Sequence, residues 1–275
     1  MLRVERENLG PGRADDERVM PLSLNTQHPT LSLRRPILVG HRGAAGLAPE
    51  NTLASFSRAL ELGVDAVELD VRRTADGHLV VIHDATVDRT TEGVGVVADM
   101  SLEDIRRLDA GSWYGIEYAG QRVPVPREAL DLICPSALCC VELKEPGLAA
   151  RVTAEIREAG AAERVLLLSF DASYGSALKS VAPNLPFVLL GAPSAEEVAS
   201  DPAAWVERAA ASKAVALSLQ YRGISPVLVQ EARKARVEVW AWTVNEADDM
   251  RRLAANGVDG IASDRPDVLV RCFGI

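Results

Sequence analysis

The fold is decided by residues 40–84, which read GHRGAAGLAPENTLASFSRALELGVDAVELDVRRTADGHLVVIHD. An apolar run over residues 37–39 leads into this stretch, so His41 and Arg42 stand where a buried strand ends. Residues 49–62 have the apolar spacing of a helix, which Gly63 then stops. Residues 64–71 have the composition of the next strand. The stretch therefore predicts a strand–helix–strand unit with charged groups at its strand ends.

Two carboxylates lie on one face of the second strand. Glu68 and Asp70 are two residues apart, and strand side chains alternate between faces. Burying both without a cation is costly. Asp76 and Gly77 are a strong two-residue hairpin signal, and a turn at those two residues would place His83 directly opposite Asp70. This register predicts an imidazole beside the carboxylate pair.

Further strands and helices alternate along the rest of the chain, which predicts a parallel sheet. The candidate at residues 79–82 follows the second strand too closely for a parallel crossover, so we expect an antiparallel hairpin arm. Eight strands remain, the number of an α/β TIM (β/α)8 barrel. An open doubly wound sheet competes, but no glycine-rich phosphate loop follows the first strand. The strand candidates are 37–40, 66–72, 79–82, 138–143, 165–170, 187–190, 215–219, 237–244 and 260–263, and the clearest later helices are 147–159, 195–211, 226–235 and 246–255.

The domain prediction has three parts. Residues 1–35 are polar and aperiodic, and we expect a poorly ordered N-terminal extension. Residues 36–275 form the barrel. Within it, residues 84–126 do not fit the strand–helix repeat and are expected to form a small insertion, with a helix near 101–108, acting as a lid over the barrel mouth.

A third carboxylate, Glu142, lies near the end of another predicted strand, with Lys144 on the same face. Because barrel strands present their C-terminal ends at one mouth, Glu68, Asp70 and Glu142 can converge there. Three carboxylates without cysteine suit one hard divalent cation, Mg²⁺ or Ca²⁺. From spacing alone the alternative is that each carboxylate forms a buried ion pair with a neighbouring arginine or lysine.

The motifs in this order resemble the glycerophosphodiester phosphodiesterase family over residues 36–270. They are HRG at 41–43, PENT at 49–52, ELDV at 68–71, TADGHLVVIHD at 74–84, VELK at 141–144 and WTVN at 242–245. The resemblance implies a barrel fold and identifies Glu68, Asp70 and Glu142 as metal ligands. It also implies that the insertion is the one the family carries between its early barrel strands.

Two of the four histidines, His41 and His83, flank the acidic cluster. A lone histidine is usually structural, but two beside carboxylates at strand ends favour acid–base work, and the resemblance implies the same. We expect His41 to act as general base and His83 as general acid. Arg42 and Lys144 supply positive charge for a phosphate, besides balancing the carboxylates.

Five further residues are candidates around the site. Phe170 and Trp242 end predicted barrel strands and could form a wall of the substrate-binding site. An aromatic residue there could equally belong to the core, but the resemblance implies that Trp242 lines the pocket. Glu50 could touch the site but is expected to cap the first helix or support the site from behind, and Asn51 is expected to support the site. Asn245 could be no more than a helix N-cap.

Composition narrows the partners. The net charge of −9 argues against a general nucleic-acid or anionic-membrane surface. No apolar run reaches the ~20 residues of a membrane span, no secretory leader is recognisable, and four cysteines suit reduced thiols. A cytoplasmic location is therefore expected, and a homo-oligomer stays possible.

The resemblance implies hydrolysis of glycerophosphodiesters to sn-glycerol 3-phosphate and a free alcohol. Two alternatives stay open from the sequence. One is a lysophospholipase D-type reaction on lysophospholipids, which needs an apolar groove to which Trp113 and Tyr114 could contribute. The other is a non-catalytic barrel that only binds phosphate ligands.

Overall fold

The computed structural model describes residues 35–274. The extension predicted over residues 1–35 lies outside the described residues except for Arg35. Its guanidinium donates to both carboxylate oxygens of Asp65, next to the second strand of the sheet.

Nine strands form one sheet that closes on itself. Eight are parallel and neighbour one another in the order β1, β2, β4, β5, β6, β7, β8, β9, and β9 pairs again with β1. This closed parallel arrangement confirms the predicted TIM barrel and excludes the open doubly wound sheet. The strands are β1 Ile37–Gly40, β2 Ala66–Arg73, β3 Leu79–Val81, β4 Leu138–Leu143, β5 Val165–Ser169, β6 Phe187–Gly191, β7 Ala216–Gln220, β8 Glu238–Trp242 and β9 Gly260–Ser263.

The helices follow the strands around the outside of the barrel, except α2, which lies in the insertion. They are α1 Leu53–Glu61, α2 Leu102–Arg107, α3 Pro126–Ile133, α4 Ala149–Glu158, α5 Ser173–Val181, α6 Ala195–Ser200, α7 Pro202–Ala211, α8 Pro226–Ala235, α9 Ala247–Asn256 and α10 Pro266–Phe273. None of them is long and apolar enough to cross a membrane. The single helix predicted over 195–211 is wrong. Pro202 cannot continue α6, because it lacks a backbone donor, and Asp201 caps a new helix by accepting from the Ala204 amide.

The third strand, β3, pairs antiparallel with β2 outside the barrel, as predicted, but in a different register. Arg73 pairs with Leu79, and Thr74 donates to the carbonyl of His78, so three residues form the turn instead of two. Gly77 adopts φ +81°, the left-handed conformation that such turns place on glycine. The predicted pairing of His83 with Asp70 is therefore wrong by one residue, and Ile82 donates to the Asp70 carbonyl instead.

The insertion, residues 84–126, has its own small apolar core. It contains α2, two short 3₁₀ turns and a single antiparallel bridge between Thr86 and Val96. Its buried apolar residues form one cluster with Val80 of β3 and with Ile82, and are Val87, Val97, Ile105, Ala110 and Val123. The Tyr118 hydroxyl donates to the Leu47 carbonyl at 2.9 Å. The insertion is therefore anchored beside the loop that follows β1.

Candidate active site

The loop between β1 and α1 turns sharply where the first charged side chains emerge. A Cβ on Gly40 would lie 2.5 Å from the Gly43 carbonyl, and one on Gly43 would lie 2.4 Å from the Ser55 hydroxyl. Arg42 and Asn51 both adopt left-handed φ angles, 51° and 56°, which typically cost ~1–3 kcal/mol each. The glycines and hydrogen bonds that hold this loop thus stabilise an unfavourable backbone that aims Arg42 into the barrel.

The three predicted carboxylates meet at the barrel mouth. Asp70 and Glu142 are register partners on neighbouring parallel strands, and Glu68 lies two residues earlier on the same face of β2. One oxygen from each of the three lies within 4.8 Å of the others. All three side chains are buried. The parallel register of β2 and β4 is the reason that residues 72 positions apart share one point.

The side chains around the three carboxylates do not supply enough positive charge to neutralise them, which favours the binding of a cation. Lys144 contacts Glu142 at 2.6 Å and Asp70 at 3.3 Å, and Arg42 Nε lies 3.4 Å from Asp70. Two positive side chains therefore face three carboxylates. The Oε1 of Glu68 is buried without a hydrogen-bond partner, and the Oδ1 of Asp70 has only its ion pair with Lys144.

The pKa values of the three carboxyl groups also indicate a cation site. Burial and the neighbouring Asp70 raise the pKa of Glu68 to about 8, and the same two causes raise the pKa of Glu142 to about 7. Although burial opposes its ionisation, Lys144 and Arg42 hold the pKa of Asp70 below its usual range. An unpartnered Glu68 oxygen in a buried all-oxygen donor set, in which burial and a neighbouring carboxylate disfavour the ionised form of two members, fits a hard divalent cation.

His41 is oriented by a carboxylate that the sequence analysis missed. Its Nδ1 lies 2.7 Å from Asp264, and its Nε2 lies 3.9 Å from Glu68. Burial disfavours the imidazolium, but the hydrogen bond to Asp264 and the charge of Glu68 outweigh it and raise the pKa of His41. Asn245 donates to Asp264 at 2.9 Å and accepts from the Asp264 amide, so it positions Asp264 and does not cap α9. The sequence signal that could have found Asp264 is its position directly after the last barrel strand.

His83 has a similar arrangement. Its Nδ1 lies 2.7 Å from the carboxylate of Asp84, its neighbour in the chain, and the Nε of Arg72 donates to its carbonyl at 2.8 Å. Burial lowers the pKa of His83, and the charges of Asp70 and Asp84 offset this only in part. Because β3 ends at Val81, His83 lies beyond the sheet ladder, and it lines the cavity despite the shifted hairpin register.

Both supporting residues predicted after β1 lie behind the site. Asn51 donates to the Asp70 carboxylate at 2.8 Å and accepts from the Asp70 amide. Glu50 accepts from Arg42 at 2.8 Å and from Arg89, a residue of the insertion that the sequence analysis did not single out. Neither caps the first helix, because Thr52 does so by accepting from the Ser55 amide at 3.2 Å.

One wall of the cavity is apolar. Phe170 and Trp242 meet edge to face with ring centroids 5.8 Å apart, and Leu168 and Leu190 continue the wall below them. The Phe170 side chain is 41% exposed, which indicates a rim position instead of a core one. Trp113 and Tyr114 pack against each other, with centroids 5.6 Å apart, and do not line this cavity.

A barrel whose mouth joins three carboxylates, two histidines and two basic side chains belongs to the phosphodiesterases of the TIM-barrel class. The model of the glycerophosphoryl diester phosphodiesterase family matches residues 41–268. The chain belongs to this family.

Related proteins agree in sequence and in fold. A glycerophosphodiester phosphodiesterase of Caldanaerobacter subterraneus is 40% identical over 242 residues, covering 86% of this chain and 97% of that protein. A phosphodiesterase of Oleispira antarctica, solved with the product sn-glycerol-3-phosphate, has a TM-score of 0.77 and 30% identity and covers 87% of this chain and 97% of its own. An Agrobacterium tumefaciens glycerophosphodiester phosphodiesterase structure has a TM-score of 0.75 at 33% identity, covering 86% of this chain and 99% of that one.

Proposed function

We propose that this protein hydrolyses glycerophosphodiesters to sn-glycerol 3-phosphate and a free alcohol, with one divalent cation, Mg²⁺ or Ca²⁺. The observation that carries the proposal is the buried convergence of Glu68, Asp70 and Glu142 between His41 and His83. The product found in the Oleispira antarctica relative supports the same substrate class.

Glu68, Asp70 and Glu142 would hold the cation, which when bound supplies positive charge to a phosphate oxygen and to glycerol hydroxyls. Arg42 and Lys144, which both contact Asp70, would bind the remaining phosphate charge. The Arg42 Nε is buried, makes no hydrogen bond and has only its ion pair with Asp70 at 3.4 Å, so a phosphate oxygen can accept from it. Such fixed donors stabilise charge that grows on the phosphoryl oxygens in the transition state.

The two imidazoles move the protons. In each ring Nδ1 is held by a carboxylate, so Nε2 is the atom left for the reacting groups. One ring takes a proton from the attacking hydroxyl, and the other gives a proton to the leaving alcohol as its bond to phosphorus breaks. The raised pKa of His41 and the lowered pKa of His83 favour His41 as donor and His83 as acceptor, the reverse of the sequence-based assignment.

Two routes satisfy this geometry. The 2-hydroxyl of the glycerol group can attack phosphorus and give a cyclic phosphate, which water then opens, or water can attack directly. Quenched reactions analysed by ³¹P NMR separate the routes, because only the first accumulates a cyclic phosphate. The Phe170–Trp242 wall contacts carbon atoms of the substrate on either route.

The direct test is a panel of glycerophosphodiesters assayed with chelator and then with Mg²⁺ or Ca²⁺ restored. We expect turnover that stops on chelation and returns with one of the ions. His41→Ala and His83→Ala should each lose at least ~100-fold in kcat. His78→Ala is the matched control, because His78 is exposed at the hairpin turn.

Three outcomes would contradict parts of the proposal. Activity that survives complete chelation removes the cation from the reaction. Faster release of alcohol from lysophospholipids than from deacylated substrates would change the substrate class. Binding of glycerol 3-phosphate without turnover of any diester would leave a phosphate-binding barrel.

A further inference from the structure

Arg89, in the insertion, joins the two carboxylates that lie behind Arg42 and His83. Its Nη1 and Nη2 donate to both oxygens of Glu50 at 2.7 and 2.9 Å, and its Nε and Nη2 donate to both oxygens of Asp84 at 2.6 and 3.2 Å. A guanidinium presents its donors in one rigid plane. A single side chain therefore fixes the two carboxylates relative to each other.

Each of these carboxylates has its second partner in the site. Glu50 accepts from Arg42 Nη1 at 2.8 Å, and Asp84 meets Nδ1 of His83 at 2.7 Å. Charged side chains thus run without a break from Arg42 through Glu50, Arg89 and Asp84 to His83. Arg42 follows β1 and His83 follows β3, so this series connects loops from two different strands.

We propose that Arg89 is a positioning residue that sets the placement of both Arg42 and His83 from outside the cavity. The inference rests on the proposed function, in which Arg42 binds phosphate and His83 transfers a proton. Without Arg89, Glu50 keeps Arg42 as its one cationic partner and draws that charge away from phosphate, which raises KM. Asp84 then loses the group that orients it, so the His83 ring loses its alignment and kcat falls.

An ordinary surface ion pair would behave differently. Arg89 is 44% exposed, and isolated exposed pairs contribute only ~0–1 kcal/mol to stability. Arg106 provides the comparison within the insertion, since it binds Glu128 of α3 through two hydrogen bonds of 2.7 and 2.8 Å. Both arginines hold the insertion to the barrel in the same bidentate manner. They differ in that, among residues 35–274, the side-chain hydrogen bonds of Glu128 go to Arg106 and to the Val125 amide, and neither residue lines the cavity.

The experiment compares Arg89→Lys, Arg89→Ala and Arg106→Ala with the wild type on one glycerophosphodiester, with kcat, KM and Tm measured for each. Both Arg89 variants should lose about 10- to 100-fold in kcat/KM, with kcat lower and KM higher. Lysine should not restore the loss, because it cannot bind two carboxylates as a fork. Added guanidinium should recover activity in Arg89→Ala, and Arg106→Ala should stay within about 2-fold of wild-type kcat/KM at a comparable Tm loss.

Three results would overturn the inference. The first is wild-type kcat/KM in the Arg89 variants, and the second is an equal loss of kcat/KM in Arg106→Ala. The third is that guanidinium does not restore activity to Arg89→Ala although the Tm of that variant is unchanged. A wild-type protein without turnover would overturn the proposed function together with this inference. An active wild type with unaffected Arg89 variants would overturn this inference alone.

Discussion

The Nδ1 atoms of His41 and His83 each lie 2.7 Å from a carboxylate, Asp264 or Asp84, but the two rings differ in their surroundings. His41 is held between Asp264 and Glu68, and both negative charges favour its protonated form. The largest effect on the pKa of His83 is the loss of solvent on burial, which favours the neutral form. The surroundings of the two histidines therefore shift their pKa values in opposite directions.

We predict that Asp264→Asn lowers kcat/KM by about 100-fold and moves one limb of the pH profile. Loss of the carboxylate lowers the pKa of His41. If His41 is the donor, activity is lost as pH rises through that pKa, so the alkaline limb should move to lower pH. The acid limb, set by deprotonation of His83, should stay in place. The measurement is kcat/KM against pH.

The control for this profile is Asp267→Asn. Asp267 binds Arg265 and Arg271 and does not line the cavity, so the profile should not move. If Asp264→Asn moves the acid limb instead, His41 is the base, and the assignment made from the sequence is the right one.

Helix α1 places two supporting side chains because of where it begins. Thr52 accepts from the Ser55 amide and donates to the Pro49 carbonyl at 2.6 Å, which fixes the turn that carries Glu50 and Asn51. These two residues then reach Arg42 and Asp70. The helix start is therefore a structural determinant of the site, because the turn before it holds Glu50 and Asn51 against Arg42 and Asp70.

We predict that Thr52→Ala lowers both stability and activity. Loss of an N-cap costs about 1 kcal/mol, and release of the preceding turn should lower kcat/KM by about 10-fold. Ser225→Ala is the control, because Ser225 caps α8 by the same contact with the Leu228 amide. It should lose similar stability in urea denaturation with unchanged kcat/KM. Equal activity losses in the two variants would show that the effect is only one of stability.

The stability of the whole barrel depends on pH through a buried carboxyl group at its mouth. The pKa of Glu68 is about 8 in the folded protein and 4.5 in the unfolded chain. A carboxyl pKa raised by folding contributes stability below pH 4.5 that is lost as pH rises toward 8. A bound cation takes the place of the proton, so it should stabilise the fold most where the proton is lost.

We predict that Mg²⁺ or Ca²⁺ raises Tm more at pH 8 than at pH 5.5, measured by calorimetry against a chelated sample. Glu68→Gln should abolish the gain. Glu238→Gln is the control, because burial also raises the pKa of Glu238 to about 7, and Glu238 does not line the active-site cavity. It should alter the pH dependence of the chelated protein but leave the gain from the cation intact. A gain that is larger at pH 5.5 would contradict the assigned ligand set.

Local patterns predicted most of the architecture. Alternating apolar runs located nine strands within a few residues, and two carboxylates on one face of β2 marked the site. They failed where two local signals competed. Asp76 and Gly77 suit a two-residue turn, but the backbone makes a three-residue turn with Gly77 in its left-handed position. In the same way, apolar spacing ran across Pro202 and concealed a helix boundary.

By itself, the sequence predicted the strands of the barrel and the charged residues at their ends, because strand periodicity and residue type act over short distances along the chain. The family's motifs, and not spacing alone, identified Glu68, Asp70 and Glu142 as one set between two histidines. Only the tertiary structure decided which groups orient those residues. Asp264 reaches His41 across 223 positions, and Arg89 reaches Glu50 across 39. Such contacts depend on barrel closure and on how the insertion docks, and no local pattern encodes the distance between two side chains whose strands meet only when the sheet closes.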